Sequence, residues 1–456
     1  MADVIIIGGG LAGSEACWQL SKRGLKVKLY EMRPVKMTKA HKTGKLAELV
    51  CSNSFRGADL KNAVGLLKYE LQILDSLIMM AAAESRVPAG GAFAVDRDFF
   101  SQFIDAKIRE DNNIEVIDQE IANLEDFVGE HAVLDIPVIV ATGPLTSPAL
   151  AKYIEDISGL GRLQFFDAIS PIILNSSIDK SKLFYQSRYD KGEGEDYLNI
   201  PLTKELYEEF INDVENAEKF GGHEEVESDM VDNLRPFEGC MPIEEMVARG
   251  RDTLRFGPMK PVGLTDPTTG RRPYAVIQLR QDDKAGNLWS LVGFQTKMKH
   301  PEQLRVFKKL PGLENAEFVR LGSVHRNSFI DSPKLLNPNL EFKTRKGLFF
   351  AGQITGVEGY VESTASGLVA AINCLKYIKN EPSLSFPSTT AIGALIGYVT
   401  EEGKKNFQPM NVNFGLMPDY SSQISQVHKK NKDEVRLSIA ERALEEIRGI
   451  KDRYLL

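Results

Sequence analysis

Two cysteines lie in sequence surroundings that suit thiol chemistry. Cys51 lies in the polar, small-residue stretch 48–57, and Cys240 directly precedes a predicted helix that begins at Pro242. A thiol close to a helix N-terminus and to arginines has a lowered pKa and a larger thiolate fraction. Each of these cysteines is therefore a candidate nucleophile or acid/base group. The alternative for each is an incidental loop cysteine.

The other two cysteines, Cys17 and Cys374, lie in predicted apolar helices and are expected to be small core residues. The four cysteines are widely spaced and form no Cys-x-x-Cys pair. This spacing favours neither a zinc knuckle nor a dithiol redox centre, so no metal site is predicted. A reducing cytoplasm is the expected location.

A glycine-rich turn near the start of the chain predicts a dinucleotide site. An apolar strand at 3–7 runs into the glycines, a helix follows at 14–23, and a second strand at 26–30 ends at Glu31. In this G-x-G-x-x-G order, the glycines allow a tight turn, close approach of a pyrophosphate and helix–strand packing. The helix N-terminus attracts the phosphates, and Glu31 has the spacing expected for a ribose hydroxyl. The residues predicted to bind the dinucleotide here are Gly8, Gly9, Gly10, Leu11, Ala12 and Gly13.

Two later strands also end at glycines. The strand at 138–142 runs into Gly143, and the strand at 347–351 runs into Gly352, Gln353 and Gly356. A glycine turn after a buried strand lets the backbone lie against a cofactor, so these four residues are further candidate cofactor contacts.

The elements that must position these residues predict an α/β fold. With 456 residues, 43% hydrophobic and 26% charged, the chain has the composition of an ordinary soluble protein of two or three units. We expect a Rossmann-type dinucleotide-binding domain in two parts, 1–169 and 319–456. Between them, at 170–318, the shorter alternating strands indicate an inserted α+β domain that faces the substrate. The second part is expected to carry the C-terminal helices.

Leucine spacing predicts one strong helix over 62–86. Another helix is predicted over 96–109. A glycine-flanked apolar helix is expected at 363–378. The last sixty residues are expected to form mixed loops and one amphipathic helix at 432–448. No signal peptide or transmembrane segment is recognised.

A basic run in the inserted segment is the strongest nucleic-acid signal in the chain. The net charge of −7 argues against general coating of nucleic acid, but it allows a local basic face. Lysines in the loop 36–45 are either solvated or contact an anion. The basic run comprises Arg249, Arg251, Arg255, Lys260, Arg271, Arg272 and Arg280.

Several sequence blocks, read together, resemble one bacterial enzyme family nearly end to end. The most specific are 50–56, 237–244 and 254–264, and further matches lie at 292–296, 311–318 and 325–327. Through these blocks the chain resembles the folate- and FAD-dependent tRNA (uracil-5-)-methyltransferases, the TrmFO family. The block around Gly352 is shared with a sister family, MnmG, which modifies the tRNA wobble uridine. Phe55 stands where the family pattern has leucine. This departure affects no residue with an expected chemical role.

The resemblance implies a reaction and its cofactors. The bound dinucleotide would be FAD, reduced by NADPH or NADH, and 5,10-methylenetetrahydrofolate would supply the carbon. The product would be 5-methyluridine at uridine 54 in the T-loop of tRNA. By resemblance Cys51 and Cys240 are the catalytic pair. The helix-terminus argument favours Cys240 as nucleophile and Cys51 as acid/base partner, and the reverse assignment stays open.

The family also implies partners and alternatives. The T-arm of tRNA is the expected macromolecular partner, with no membrane and no obligate protein partner. His325, Arg326 and Asn327 either line the folate cleft or form a structural turn. One alternative is an MnmG-like modifier, although that family carries an extra C-terminal helical domain that this chain is too short to hold. The other is a flavin oxidoreductase acting on a small molecule, or a non-catalytic RNA-binding flavoprotein.

Overall fold

The computed structural model describes residues 2–38, 40–127, 134, 136–161, 163–220, 241–404, 407–418 and 432–454. Within these ranges the strands are β1 (Val4–Ile7), β2 (Val27–Glu31), β3 (Ser54–Gly57), β4 (Arg86–Val87), β5 (Ala92–Val95), β6 (Ile114–Asp118), β7 (Val138–Val140), β8 (Leu163–Ala168), β9 (Ile172–Leu174), β10 (Phe184–Tyr185), β11 (Tyr197–Leu202), β12 (Ala275–Gln281), β13 (Leu288–Leu291), β14 (Phe318–Arg320), β15 (Val324–Phe329) and β16 (Leu348–Phe350).

The helices are α1 (Leu11–Ser21), α2 (Ala63–Ile73), α3 (Leu77–Glu84), α4 (Arg97–Arg109), α5 (Pro148–Ser158), α6 (Lys204–Asn216), α7 (Ile243–Arg249), α8 (Thr253–Phe256), α9 (His300–Phe307), α10 (Ser332–Leu335), α11 (Tyr360–Ile378), α12 (Ala391–Thr400) and α13 (Lys432–Tyr454). No described helix is long and apolar enough to cross a membrane.

A parallel sheet carries the glycine-rich turn. Its strand order is β16-β7-β1-β2-β6, and all its pairs are parallel. β1 is fully buried, as its run of valine and isoleucine predicts for a strand covered on both faces. The chain passes from β1 to β2 and β6 on one side and then returns to β7 and β16 on the other, so the strand order reverses at β1, and its carboxyl end is the switch point where such sheets bind ligands. The predicted Rossmann-type fold is confirmed.

Close packing of α1 on α11 fixes the helix that follows this turn. A Cβ on Gly367 of α11 would lie 2.3 Å from the carbonyl oxygen of Ala12. Only glycine permits that approach, so the first turn of α1 rests directly on the α11 backbone.

The second sheet is built from the middle of the chain. Its strands run in the order β10-β11-β12-β13-β9-β14 and all pairs are antiparallel. Its buried side chains, with those of α6 and α9, form a core separate from that of the parallel sheet. This separate core supports the inserted unit at 170–318, whose boundaries we retain as a proposal.

One helix prediction was wrong. The expected helix over 62–86 is two helices, because Asp75 adopts a left-handed φ of 57° and Ser76 caps α3 by accepting from the Met79 N–H. The mostly buried helix α12, most of which precedes the last sixty residues, was not predicted. In addition, α11 begins at Tyr360, three residues before the predicted start, and α13 extends past 448.

Candidate functional site

The turn between β1 and α1 has the geometry of a phosphate cradle. Gly8 has a φ of 101°, and a Cβ there would lie 2.7 Å from the Ala141 carbonyl oxygen. A Cβ on Gly13 would lie 1.9 Å from the Gly8 carbonyl oxygen, so this glycine lets the helix pack on the strand. A Cβ on Gly10 would meet no atom within 4 Å, so the backbone there faces open space. The three glycines therefore take the three roles that the motif predicts.

Glu31 lies at the end of β2 beside this turn. Its Oε2 accepts from the Gly9 N–H at 2.7 Å, and its Oε1 accepts from the backbone N–H and Nε of Arg33. Burial raises the pKa of the Glu31 carboxyl, but the hydrogen bonds and charge of Arg33 outweigh it and hold this pKa below its ordinary value. Glu31 is therefore a fixed carboxylate with remaining acceptor capacity for a hydroxyl.

A cavity opens from the cradle. It runs from the α1 N-terminus past Glu31 to the ends of β7 and β16. The backbone N–H groups at this helix start have no side-chain cap. An uncapped N-terminus and an open glycine wall fit a pyrophosphate. The predicted cofactor residues that line the cavity are Gly8, Gly10, Leu11, Ala12, Glu31, Gly143, Gly352 and Gln353.

Three predicted cofactor residues do not line this cavity. Gly9 is tied to Glu31, and Gly13 serves helix packing. Gly356 has a φ of 84°, and a Cβ there would lie 2.5 Å from the Phe407 ring. The positive φ and the close approach of the Phe407 ring explain why glycine is needed at position 356.

A second cavity of about 1090 Å³ continues from the first. Cys51 lies on its wall, together with Asn327 and Gln295. The side chains of His325 and Arg326 are outside the described part of the structure. The residues shared by the two cavities are Val50, Pro144, Leu145, Gln353 and Tyr360. A ligand lying along the first cavity would therefore reach the cysteine through this shared wall.

Tyr360 and Ala168 hold Cys51 on the wall. The Cys51 N–H donates to the Tyr360 hydroxyl at 3.0 Å, and its half-buried Sγ lies 3.9 Å from the Ala168 carbonyl oxygen. Tyr360 is the first residue of α11, so the helix start positions the thiol. This contact was not predicted from the sequence, because Cys51 and Tyr360 are 309 positions apart.

Arg97 clamps the backbone on both sides of the thiol. Its Nη1 donates to the carbonyl oxygens of Leu49 and Cys51 at 3.1 and 3.0 Å. Its Nε and Nη2 bind the two carboxylate oxygens of Asp282. Burial lowers the pKa of Arg97, but the Asp282 carboxylate raises it further, so the pKa lies above its ordinary value. The arginine therefore stays charged beside Cys51.

Two more arginines from the second sheet complete this clamp. Arg320 donates to the Val50 carbonyl oxygen at 2.5 Å, and Arg280 donates to Asn53 Oδ1 at 2.8 Å and to Ser52 Oγ at 3.1 Å. Burial lowers the pKa of both guanidinium groups. The loop that carries Cys51 is thus held by cations from α4 and from two strands of the second sheet, β12 and β14.

Cys240 lies outside the described residues. The described residues begin again at Met241. Pro242 is the N-cap of α7 rather than its first residue. The Ile243 N–H donates to the carbonyl oxygen of Gln295, which lines the second cavity. The segment directly after Cys240 is therefore bonded to the cavity wall.

The other two cysteines are core residues, as predicted. Cys17 and Cys374 are fully buried, and burial raises the pKa of both thiols. Among the described residues no group of His, Cys, Asp and Glu could hold a metal ion.

The basic run does not act as one surface. Arg280 is buried in the clamp, and Arg251 is bound by Glu208 and Glu215. The prediction that the run forms a nucleic-acid footprint is wrong for buried Arg280, and for exposed Arg251 it stays a prediction. The side chains of Arg251 and Arg280 bind anionic or polar groups that lie far away in the sequence. In the loop 36–45, Lys36 binds Glu120, and Lys39 is outside the described residues.

Comparison with known proteins gives a consistent result. The family model described as "Glucose inhibited division protein A" matches residues 3–382. A methylenetetrahydrofolate–tRNA-(uracil-5-)-methyltransferase TrmFO from Natranaerobius thermophilus is 53% identical over 441 residues, covering 96% of this chain and 98% of that protein. A protein of the same name from Bacillus pumilus is 53% identical over 447 residues, covering 98% of each chain.

Among solved structures, Aquifex aeolicus GidA in its form II crystal superimposes with a TM-score of 0.68. The match covers 99% of this chain and 75% of that chain, at 16% sequence identity. At this identity the likeness concerns the fold alone.

Proposed function

This chain belongs to the TrmFO family, whose curated members are named methylenetetrahydrofolate–tRNA-(uracil-5-)-methyltransferases, and on that premise we propose how and where it methylates tRNA. It is a folate-dependent tRNA (uracil-5-)-methyltransferase. The target is uridine 54 in the T-loop of the T-arm, and the enzyme acts in the cytoplasm without an obligate protein partner. Full-length relatives above 50% identity favour this activity over wobble-uridine modification or small-molecule oxidation.

The first cavity fits FAD through its glycine cradle, uncapped helix start and fixed carboxylate. Bound FAD would supply reducing equivalents, taken from NADPH or NADH, that bring a one-carbon unit from 5,10-methylenetetrahydrofolate to the methyl level. Gly10 and the first turn of α1 would hold the pyrophosphate, and Glu31 a ribose hydroxyl. Gly143, Gly352 and Gln353 would line the opposite wall.

Uracil C5 needs a thiolate before it can attack a carbon electrophile. Addition of the Cys240 thiolate to C6 forms an enolate whose C5 attacks the methylene carbon. A base must then take the C5 proton as the carbon–nitrogen bond to the folate breaks, with the electron pair leaving on the folate nitrogen. Reduced FAD, when bound, would supply the hydride that converts the resulting exocyclic methylene to methyl. The C5–C6 double bond then re-forms and the thiolate is expelled from C6. We assign the base to Cys51, and the reverse assignment of the two thiols remains possible.

The placement of Cys51 is the observation that supports this role. Its thiol lies on the wall of the cavity that continues from the dinucleotide cradle. Arg97 and Arg320 bind the carbonyl groups beside it and bring two guanidinium charges close to the sulfur.

The test uses purified protein, an unmodified tRNA transcript, NADPH and 5,10-methylenetetrahydrofolate. The RNA is digested, and 5-methyluridine is measured by mass spectrometry. We expect a product that requires folate and that disappears with a transcript carrying cytidine at position 54. A product that persists with that transcript would contradict the T-loop assignment. Flavin-bound protein that yields no product on any tRNA would contradict the proposed activity.

A further inference from the structure

A group of cations and aromatic rings lies at the far end of the second sheet. We call it the arginine patch and define it as Arg255, Phe256, Arg271, Arg272 and Tyr274. It belongs to α8 and to the loop that leads into β12. None of these residues contacts the glycine cradle or lines either cavity of the active site.

The aromatic part of the patch is built around one guanidinium. Arg255 Nε donates to the Tyr274 carbonyl oxygen at 3.0 Å, and the guanidinium carbon lies 4.1 Å from the centre of the Tyr274 ring. The same carbon lies 6.0 Å from the centre of the Phe256 ring. Phe256 is 75% exposed, the largest exposure among the large hydrophobic side chains of the described residues. A ring held this openly beside a cation offers a flat face for stacking.

The cationic part of the patch forms no ion pair with a described carboxylate. Arg271 and Arg272 are exposed and line a shallow cavity of about 810 Å³ with Tyr274. No described carboxylate forms an ion pair with Arg255, Arg271 or Arg272.

The acidic side chains near the patch have other partners. Arg251, close by in sequence, is bound by Glu208 and Glu215. The Asp266 carboxylate, which also lines the shallow cavity, accepts from the Thr268 N–H. Among the described residues, Arg255, Arg271 and Arg272 therefore keep their charge without a paired carboxylate, on a chain whose net charge is −7.

Strand β12 links the patch to the active site. Tyr274 immediately precedes the strand, and Arg280 near its other end binds Asn53 beside the Cys51 loop. Six residues of strand span about 20 Å. A partner that enters the active site and also reaches the patch must therefore be extended and polyanionic over that length.

We propose that the arginine patch is a second contact surface for the RNA substrate. Arg271 and Arg272 bind backbone phosphates, and Phe256, backed by Arg255, stacks on an unpaired base. Guanidinium groups bind phosphates, and an aromatic face binds any base. This proposal rests on the proposed function, because it takes tRNA as the partner. It adds a contact remote from the reacting uridine.

The test measures binding of an unmodified tRNA transcript to the FAD-loaded protein by fluorescence anisotropy, across a series of KCl concentrations. We expect the double variant Arg271→Gln/Arg272→Gln to raise Kd about tenfold. The slope of log K against log salt should flatten by about 1.4 to 1.8, since each lost phosphate contact contributes about 0.7 to 0.9. Phe256→Ala should raise Kd about tenfold with little change in slope.

Two controls distinguish binding by the patch from an effect of the protein's net charge. Arg251→Gln removes a nearby cation that is already neutralised and should leave Kd and slope unchanged. Arg271→Lys/Arg272→Lys keeps the charge and should restore the slope. Methylation at saturating tRNA should keep its kcat in all these variants, because no patch residue lines the reaction cavity.

Parent-like Kd and salt slope in both Arg271→Gln/Arg272→Gln and Phe256→Ala would overturn the proposal. Equal weakening by Arg251→Gln would also overturn it, because the effect would then be one of net charge. The binding measurement does not require turnover. A protein that binds tRNA through the patch but makes no 5-methyluridine would thus contradict the proposed function alone.

Discussion

Arg280 Nη2 lies 2.8 Å from Asn53 Oδ1, and this hydrogen bond joins the second sheet to the loop that carries Cys51. Asn53 Nδ2 also donates to the carbonyl oxygens of Val95 and Gln281. The asparagine is fully buried and bonded on both sides. The position of the thiol therefore depends on the contact between the second sheet and the loop.

We predict that Arg280→Met and Asn53→Ala each lower the methylation kcat by about 100-fold, the scale expected for a displacement near 1 Å. Flavin absorbance should persist, because neither residue lines the dinucleotide cavity. Since the two side chains bond to each other, the double variant should lose less than the product of the single effects. The coupling should be about 0.5–3 kcal/mol.

The measurement is a double-mutant cycle of kcat with Lys180→Met as control, an exposed cation on the same unit. Additive effects of the two substitutions would contradict a direct role for this hydrogen bond. Normal kcat in Arg280→Met would contradict the clamp itself.

The two thiols of the proposed mechanism give a second prediction. Cys51→Ala and Cys240→Ala should each abolish 5-methyluridine formation, because each substitution removes a group that one chemical step requires. FAD should stay bound, because Cys51 does not line the dinucleotide cavity. Cys374→Ala is the matched control, since that thiol is fully buried in α11 and away from both cavities. It should cost about 1 kcal/mol of stability and leave kcat unchanged. Product yield by mass spectrometry checks this, and full activity in either of the first two variants would exclude the two-thiol mechanism.

The dinucleotide turn was predictable from the sequence because its signal is local. Strand, glycines, helix and acid follow one another within about thirty residues, and each glycine has a backbone role that no other residue fills. The clamp around Cys51 was not predictable. Arg97, Arg280 and Arg320 reach the loop from three distant elements, and a basic run in the sequence is equally consistent with an RNA-facing surface.

The missed helix α12 shows the same limit. Its sequence contains Gly393 and Gly397 and several β-branched residues, a poor helical composition. Its start is set by Glu70 on α2, which accepts from the backbone N–H groups of Ala391 and Ile392. Thr390 caps the helix locally by accepting from the Gly393 N–H, but the Glu70 contact comes from more than 300 residues away, so the local pattern carries only part of the signal. The contact with Glu70 stabilises a helix in a segment whose residues have low intrinsic helix propensity.

The glycines of the turn give a third prediction. A Cβ on Gly10 projects into open space, so Gly10→Ala should fold normally but lower FAD content by occupying the place of a phosphate. Gly13→Ala places a Cβ 1.9 Å from the Gly8 carbonyl oxygen and should destabilise the domain itself. Gly397→Ala, at an exposed and open position in α12, is the control and should bind FAD normally.

FAD content per protein and the midpoint of thermal unfolding of the apoprotein separate these outcomes. Gly10→Ala should change only the first, and Gly13→Ala both. Full FAD occupancy in Gly10→Ala would mean that the pyrophosphate does not lie on this turn.

The buried carboxyl of Glu70 gives a fourth prediction, on stability against pH. Burial raises its pKa to about 8 from an ordinary value of 4.5, and the charge of Glu446 adds to this. Between pH 4.5 and 8 the native state keeps a proton that the unfolded chain has released. Raising the pH through this range therefore weakens the native state, by up to about 1.4 kcal/mol per pH unit.

Glu70→Gln removes this titration while keeping one acceptor for the α12 N-terminus. The fall in urea midpoint between pH 5 and 7 should therefore be smaller in this variant than in the parent. The range stops at pH 7 because Lys68, whose pKa burial lowers to about 7, acts with the opposite sign above that pH. Exposed Glu84→Gln should retain the parent's full pH dependence. An unchanged pH trend in Glu70→Gln would mean that this carboxyl is already ionised in the native state at pH 5.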